Sequence, residues 1–141
     1  MIRTLYEDVA LVDTSAVIAL HDPSDQHHDV ARSWYASCDW VWLALDVTSH
    51  ETFTRARYAS SLGAAVEQYR FLRASTIRVI SFEPEDELRA LELLGRYTDQ
   101  RISFHDAICA VVMKRLQLVR IFTFDSDFST LGFQVFPGAT Y

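Results

Sequence analysis

The chain has 141 residues, half of them hydrophobic, and thirteen Lys and Arg residues against nineteen Asp and Glu residues, which gives a formal net charge of −6. A chain of this length and composition can bury enough apolar surface to fold without disulfide bonds, so we expect residues 1–141 to form a single domain. The negative charge excludes a protein that holds nucleic acid through its overall charge, so any such contact needs local Arg clusters or bound cations.

The sequence also indicates the cellular compartment in which the protein is found. The N-terminal stretch has no positively charged region followed by an apolar run and a small-residue cleavage site, and no segment reaches membrane-spanning length without charges. Cys38 and Cys109 lie in apolar helical contexts, away from any metal-knuckle or disulfide spacing, which indicates reduced, buried thiols. We therefore expect a cytoplasmic protein with no membrane contact.

Short β-rich runs alternate along the chain with segments whose apolar residues recur at helical spacing. The predicted strands are 8–13, 40–45, 77–80, 118–124 and 133–136. The predicted helices are roughly 15–21, 26–38, 47–59, 62–74, 84–95 and 103–117. This alternation predicts an α/β fold with a central, mainly parallel sheet of four to five strands and helices on both faces.

Four acidic residues fall at related places in this predicted fold. Asp13 ends the first strand and Asp125 ends the strand 118–124, whereas Glu51 and Asp106 lie in or near the first turns of their helices. Right-handed crossovers bring the carboxyl ends of parallel strands and the amino ends of the following helices to one edge of the sheet. We therefore expect the four carboxylates to share that edge.

Helix capping is the alternative explanation for each of these acids. Thr48-x-x-Glu51 and Ser103-x-x-Asp106 have the spacing of capping boxes, and Asp13 and Asp125 could be N-caps. Capping does not predict that all four acids should meet at one edge. Clustered carboxylates repel one another, and carboxylate oxygens are the ligands that Mg²⁺ and Mn²⁺ prefer, so the pattern favours a metal site.

Other residues near the predicted site have two possible roles. His50 and His105 each precede a site acid, which would suit a zinc ligand or a general base, but neighbouring helical residues point about 100° apart, so we favour a peripheral role. Four arginines form either a solvated helical face or a set of phosphate anchors: Arg55, Arg57, Arg70 and Arg73.

Four stretches of the chain resemble, in order, the motifs of PIN-domain ribonucleases, and among these the VapC-type toxins of type II toxin–antitoxin modules. The stretches are "LVDTSAVIALHDPSDQHHDVA", "TSHETFTR", "DQRISFHDAICA" and "IFTFDSDF". Each motif is short, but their order and context are specific, and together they cover nearly the whole chain. The resemblance implies a single PIN domain, a three-layer α/β/α sandwich.

The resemblance assigns roles to matching residues. It implies that the catalytic and metal-binding quartet is Asp13, Glu51, Asp106 and Asp125. Asp127 becomes an outer metal ligand, Ser15 or Thr14 a supporting group, and Asp99 a residue of local structure. The cofactor implied is Mg²⁺ or Mn²⁺. His105 departs from the family, which more often has a small or neutral residue there, and this departure bears on sequence preference.

The implied activity is that of a metal-dependent endoribonuclease, which hydrolyses RNA phosphodiester bonds as the toxin of its module. The implied partners are an RNA substrate, a small cognate antitoxin that inserts a helix and basic side chains near the site, and a second copy of the chain in a homodimer. Two other functions stay open at this point, namely an RNA-processing nuclease without a toxin role and a non-catalytic scaffold that binds RNA or protein.

Two further enzyme classes are weak alternatives. An Asp-nucleophile phosphatase usually has a second acid two residues after the first, and Ser15 occupies that position. A phosphoacceptor receiver domain would have paired acids near the end of the first strand and a lysine late in the chain, and neither feature is convincing in this sequence.

Overall fold

The structure, a computed structural model, describes residues 8–138; the two ends of the predicted domain, 1–7 and 139–141, lie outside the described residues. The strands are β1 (Val9–Val12), β2 (Val41–Leu45), β3 (Arg78–Ile80), β4 (Arg120–Phe122) and β5 (Gln134–Phe136). The helices are α1 (Thr14–His21), α2 (His28–Ser37), α3 (Asp46–Ala59), α4 (Leu62–Ala74), α5 (Pro84–Arg96), α6 (Phe104–Arg115) and α7 (Asp127–Thr130).

The five strands form one sheet in the order β3-β2-β1-β4-β5, and every neighbouring pair is parallel. β1 is the central strand, with Leu11 paired to Leu43 of β2 on one side and to Ile121 of β4 on the other. The chain reverses its direction of travel across the sheet at β1, so the crevice between β1 and β4 is the place where such sheets bind ligands.

Alternation of side chains along β1 divides the core into two layers. Leu11 points into a cluster with α5 and α6, whereas Ala10 and Val12 point into a second cluster with α1, α2 and α4. α6 is almost entirely buried, which explains its uninterrupted apolar sequence around Cys109. The result is the expected three-layer α/β/α sandwich with a parallel sheet.

The sequence-based boundaries lie within two residues of the observed ones, and the largest differences concern β4 and α7. β4 spans Arg120–Phe122 and is shorter than the predicted strand 118–124. The short helix α7 was not predicted, because four residues are too few to show an apolar period. Of the predicted reduced thiols, Cys109 is buried and Cys38 is half-buried, and both are free. In residues 8–138, no helix has the length and apolar character needed to cross a membrane.

An ion pair joins the start of α5 to the end of α6. The Asp86 carboxylate is buried and accepts hydrogen bonds from Arg115 Nε at 3.0 Å and Nη2 at 2.8 Å. It also accepts one from the Glu83 backbone N–H at 2.7 Å, within a capping box. Burial acts to raise the pKa of Asp86, but the hydrogen bonds from Arg115 and Glu83 outweigh it and hold the pKa below its ordinary value.

We expect Asp86→Asn to lower the free energy of unfolding at pH 7 by about 1.5–3 kcal/mol, since it weakens charged hydrogen bonds to Arg115. A carboxyl with a lowered pKa stabilises the fold above its ordinary pKa of 3.8, and this contribution is lost as the pH falls through the folded value. Urea unfolding of the wild type and of Asp86→Asn between pH 7 and pH 3 measures this contribution. The difference in the free energy of unfolding between the two proteins should narrow as the pH falls. Glu87→Gln, at an exposed position of the same helix, is the matched control. Equal losses of stability in Asp86→Asn and Glu87→Gln would contradict the stabilising role of the Asp86–Arg115 ion pair.

Candidate active site

Asp13 lies directly after β1 at the N-cap position of α1, and only 4% of it is exposed. Its side chain makes no capping hydrogen bond, so the capping explanation is wrong for this residue. Oδ2 accepts hydrogen bonds from Thr123 Oγ1 at 2.8 Å and from Ser15 Oγ at 3.1 Å. Oδ1 is buried and has no hydrogen-bond partner. One oxygen of Asp13 is therefore held in place and the other is available to a ligand.

Two hydroxyl groups tie the ends of β1 and β4 together. Ser15 Oγ accepts a hydrogen bond from the Phe124 backbone N–H at 3.0 Å, and Thr123 Oγ1 accepts one from the Asp125 N–H at 3.0 Å. Ser15 thus supports Asp13, as predicted from the family pattern. Sequence reasoning missed Thr123, although its place beside Asp125 at the end of a predicted strand was a usable signal.

Glu51 lies in the second turn of α3, because this helix begins at Asp46 immediately after β2. Thr48 is therefore not an N-cap, and the predicted capping box with Glu51 is wrong. Glu51 Oε2 accepts a hydrogen bond from Thr14 Oγ1 at 2.7 Å and lies 2.9 Å from His105 Nδ1. Burial acts to raise the pKa of Glu51, but the hydrogen bonds from His105 and Thr14 outweigh it and lower the pKa to about 2.

His105, in the first turn of α6, is 8% exposed and lies in the middle of the acids. Its Nδ1 is 3.2 Å from Asp106 Oδ1 and 3.8 Å from Asp13 Oδ1. The predicted peripheral role is wrong. The end of α6, rather than its side, faces the acids, so successive residues of the first turn both reach them. Burial acts to lower the pKa of His105, but hydrogen bonds to Asp106, Cys109 and Glu51 raise it to about 12.

Asp106 connects the two halves of the site. Its backbone N–H donates to Ser103 Oγ at 3.0 Å, so Ser103 caps α6 while the Asp106 side chain stays available. Potential ligand atoms of Asp13, His105 and Asp106 lie within 4.8 Å of one another, and so do those of Asp106, Asp125 and Asp127. Two ligand groups that share Asp106 could hold two neighbouring cations, the arrangement of two-metal nucleases.

Asp125 follows β4 and is half-buried beside the short helix α7. Its Oδ1 accepts a hydrogen bond from the Asp127 backbone N–H at 2.9 Å, but the N-cap position of α7 is occupied by Ser126, so Asp125 is not the N-cap that the alternative explanation allowed. Burial raises the pKa of Asp125, and the negative charges of Asp106 and Asp127 add to the rise. Burial likewise raises the pKa of Asp13, with a further rise from the Asp106 charge. In both carboxyls, burial and neighbouring negative charges outweigh the interactions that favour the ionised form.

We call five residues the acid cluster: Asp13, Glu51, Asp106, Asp125 and Asp127. The structure brings all five to one edge of the sheet, as the sequence predicted for the first four, and the metal-binding roles of the five stay predictions. Of the predicted arginines, Arg55 contacts the cluster, with its Nη2 3.2 Å from Glu51 Oε1, whereas Arg57, Arg70 and Arg73 are exposed.

Comparison with known proteins agrees with this fold. The family model described as "PIN domain" matches residues 10–134 of this chain. The 23S rRNA-specific endonuclease VapC20 of Mycobacterium tuberculosis is 31% identical over 122 residues, which cover 86% of this chain and 93% of VapC20.

Solved structures have the same architecture. The crystal structure of M. tuberculosis VapC20, described as a sarcin-ricin loop cleaving toxin, superimposes with a TM-score of 0.82 at 29% identity and covers 89% of this chain and 96% of that one. FitAcB from Neisseria gonorrhoeae has a TM-score of 0.68 at 16% identity, over 91% of this chain and 96% of its own, and is similar in fold. The chain therefore belongs to the PIN-domain family.

Proposed function

We propose that this protein is a metal-dependent endoribonuclease that acts as the toxin of a toxin–antitoxin module. The observation that carries the proposal is Asp13 Oδ1, a buried carboxylate oxygen without a hydrogen-bond partner, which faces Asp106 across the β1/β4 crevice. Similarity to VapC20 over almost the whole length of both chains supports RNA cleavage as the reaction. It also makes ribosomal RNA the first substrate to test.

The residues of the cluster fit a hard divalent cation. Mg²⁺ and Mn²⁺ are bound through carboxylate oxygens, and an unpartnered buried carboxylate is costly unless a cation compensates it. Asp13 and Asp106 would hold one ion, and Asp106, Asp125 and Asp127 offer ligands for a second. A bound ion would supply activation of the attacking water and stabilisation of negative charge on the phosphate and leaving oxygens.

The surrounding side chains orient these carboxylates. Thr123 and Ser15 occupy Asp13 Oδ2, which turns Oδ1 toward Asp106. Glu51, with a pKa of about 2, stays ionised at neutral pH, so it serves as an anionic ligand or an orienting group rather than as a general acid. Arg55, exposed beside Glu51, is positioned to contact an RNA phosphate at the rim of the cluster.

A nuclease of this kind would harm its own cell unless something covered the cluster. We propose a small antitoxin with a disordered segment that folds on binding as an amphipathic helix and extends an Arg or Lys toward Asp13 and Asp106. That cation would take the place of the metal charge. In this proposal the protein acts in the cytoplasm as a homodimer, and each chain is a single domain with its own cluster.

Asp106→Asn should lower RNA cleavage by more than about 100-fold, because it removes a charged ligand shared by both parts of the cluster and preserves the side-chain volume. A labelled ribosomal RNA fragment incubated with purified protein and Mn²⁺ measures the rate. EDTA should abolish cleavage by the wild type, and added Mn²⁺ should restore it.

The matched control for this assay is Asp99→Asn, since Asp99 is exposed in the turn that precedes α6. It should cut RNA at the wild-type rate. Undiminished cleavage by a folded Asp106→Asn protein, judged by circular dichroism, would remove Asp106 from the site. Failure of the wild type to cut any RNA in a mixed pool with Mn²⁺ would instead favour the scaffold alternative.

Expression of the wild-type chain alone should arrest bacterial growth, and expression of Asp106→Asn at an equal level should not. Co-expression of a small protein encoded next to this chain should relieve the arrest. Colony counts after induction, with protein levels checked on gels, give the answer. Normal growth at high levels of folded wild-type protein would contradict the toxin role and leave the nuclease activity to be judged by the RNA assay.

A further inference from the structure

We propose that His105 is a direct metal ligand through its Nδ1 atom, so that the site binds its ion through mixed nitrogen and oxygen donors and prefers Mn²⁺ or Co²⁺ to Mg²⁺. This inference rests on the proposed function only in that both require a cation at the acid cluster. It adds a residue that neither the metal-binding quartet nor the outer Asp127 includes.

The distances around Nδ1 suit coordination to a single ion. Nδ1 lies 2.9 Å from Glu51 Oε2, 3.2 Å from Asp106 Oδ1 and 3.8 Å from Asp13 Oδ1. For bonds of about 2.1 Å, neighbouring ligands of an octahedral ion lie about 3.0 Å apart and opposite ligands about 4.2 Å. His105 Nδ1, Asp106 Oδ1 and Asp13 Oδ1 can therefore enclose one cation with small shifts of the side chains.

The second ring nitrogen fixes the direction in which Nδ1 points. Nε2 lies 2.8 Å from Thr48 Oγ1, and Thr48 is fully buried. In protein metal sites, a ligating histidine commonly donates its other N–H to a fixed acceptor, which sets the tautomer and the ring orientation. Thr48 supplies such an acceptor for Nε2–H. Without a cation, Nδ1 carries a proton and donates it to Glu51 Oε2 at 2.9 Å. A bound cation would take the place of that proton, which would pass to solvent, and Nδ1 would then face the cation beside Asp13 and Asp106.

Asp13 supplies an independent indication of a ligand at this place. The residue is 4% exposed, and its Oδ1 is buried without a hydrogen bond, although Oδ2 has two. This unpartnered oxygen and His105 Nδ1 face the same gap. A cation in the gap would satisfy both atoms at once.

The donor set decides which cation is preferred. Imidazole nitrogen is a good ligand for first-row transition metals, whereas Mg²⁺ prefers carboxylate and water oxygens. A site made only of carboxylates would discriminate weakly between Mg²⁺ and Mn²⁺. With one imidazole donor, the ratio of Mn²⁺ affinity to Mg²⁺ affinity should be high and should depend on His105.

The test is pulsed electron paramagnetic resonance of the full chain loaded with Mn²⁺, together with calorimetric titration of Mn²⁺ and of Mg²⁺. The wild type should show modulation from a nitrogen nucleus bound to Mn²⁺, and incorporation of ¹⁵N-histidine should change it. In His105→Asn the modulation should vanish, Mn²⁺ affinity should fall by about tenfold or more, and Mg²⁺ affinity should fall by less. His50→Asn is the matched control, because His50 is exposed on α3 next to Glu51 and should behave as the wild type.

The wild-type spectrum alone decides the question if His105→Asn fails to fold. Mn²⁺ bound without nitrogen modulation would overturn the role of His105 and leave the proposed nuclease function standing. Tighter or unchanged Mn²⁺ binding by a folded His105→Asn protein would overturn it as well. If neither ion binds the wild type at millimolar concentration, both this inference and the proposed function fail.

Discussion

The arrangement of this site depends on electrostatic repulsion among carboxylates that the fold forces together. β1 and β4 end side by side, and α6 begins at the same edge, so Asp13, Asp106 and Asp125 arrive at one place from distant parts of the chain. Few of these groups can be fully hydrated, and burial raises the pKa of Asp13 and Asp125. The fold is stable with these residues because neighbouring hydroxyls, an imidazolium and, when bound, a metal ion compensate their charges.

Neighbouring hydrogen-bond donors and positive charges compensate the carboxylates of the acid cluster unequally. Glu51 is surrounded by donors from Thr14, His105 and Arg55, and its pKa is low. Asp13 has donors on Oδ2 only, and its pKa is raised. The uncompensated charge is therefore concentrated on the β1/β4 side of the cluster. A cation would therefore bind most favourably on that side, whether it is a metal ion or the basic side chain of an inhibitor.

The parallel sheet and the meeting of the acids at one edge could be predicted from the sequence, and the reason is geometric. Parallel topology follows from the alternation of strands and helices, and it alone places Asp13 and Asp125 at a common edge. The positions of side chains within a turn are harder to predict. The helical angle between His105 and Asp106 suggested that only one of them faces the site, but this argument holds for the side of a helix and fails at its end. The assignment of Thr48 as an N-cap failed for a related reason. Because α3 starts at Asp46, Thr48 lies inside its first turn, where its hydroxyl contacts His105.

The most direct test of the central claim is a crystal structure of the protein soaked in Mn²⁺, with anomalous diffraction measured to locate the metal. If the acid cluster is the metal-binding nuclease centre, the strongest anomalous peak lies between the carboxylates of Asp13 and Asp106, within bonding distance of Asp13 Oδ1. A peak only elsewhere on the surface, or a cluster without metal at saturating Mn²⁺, would contradict the account.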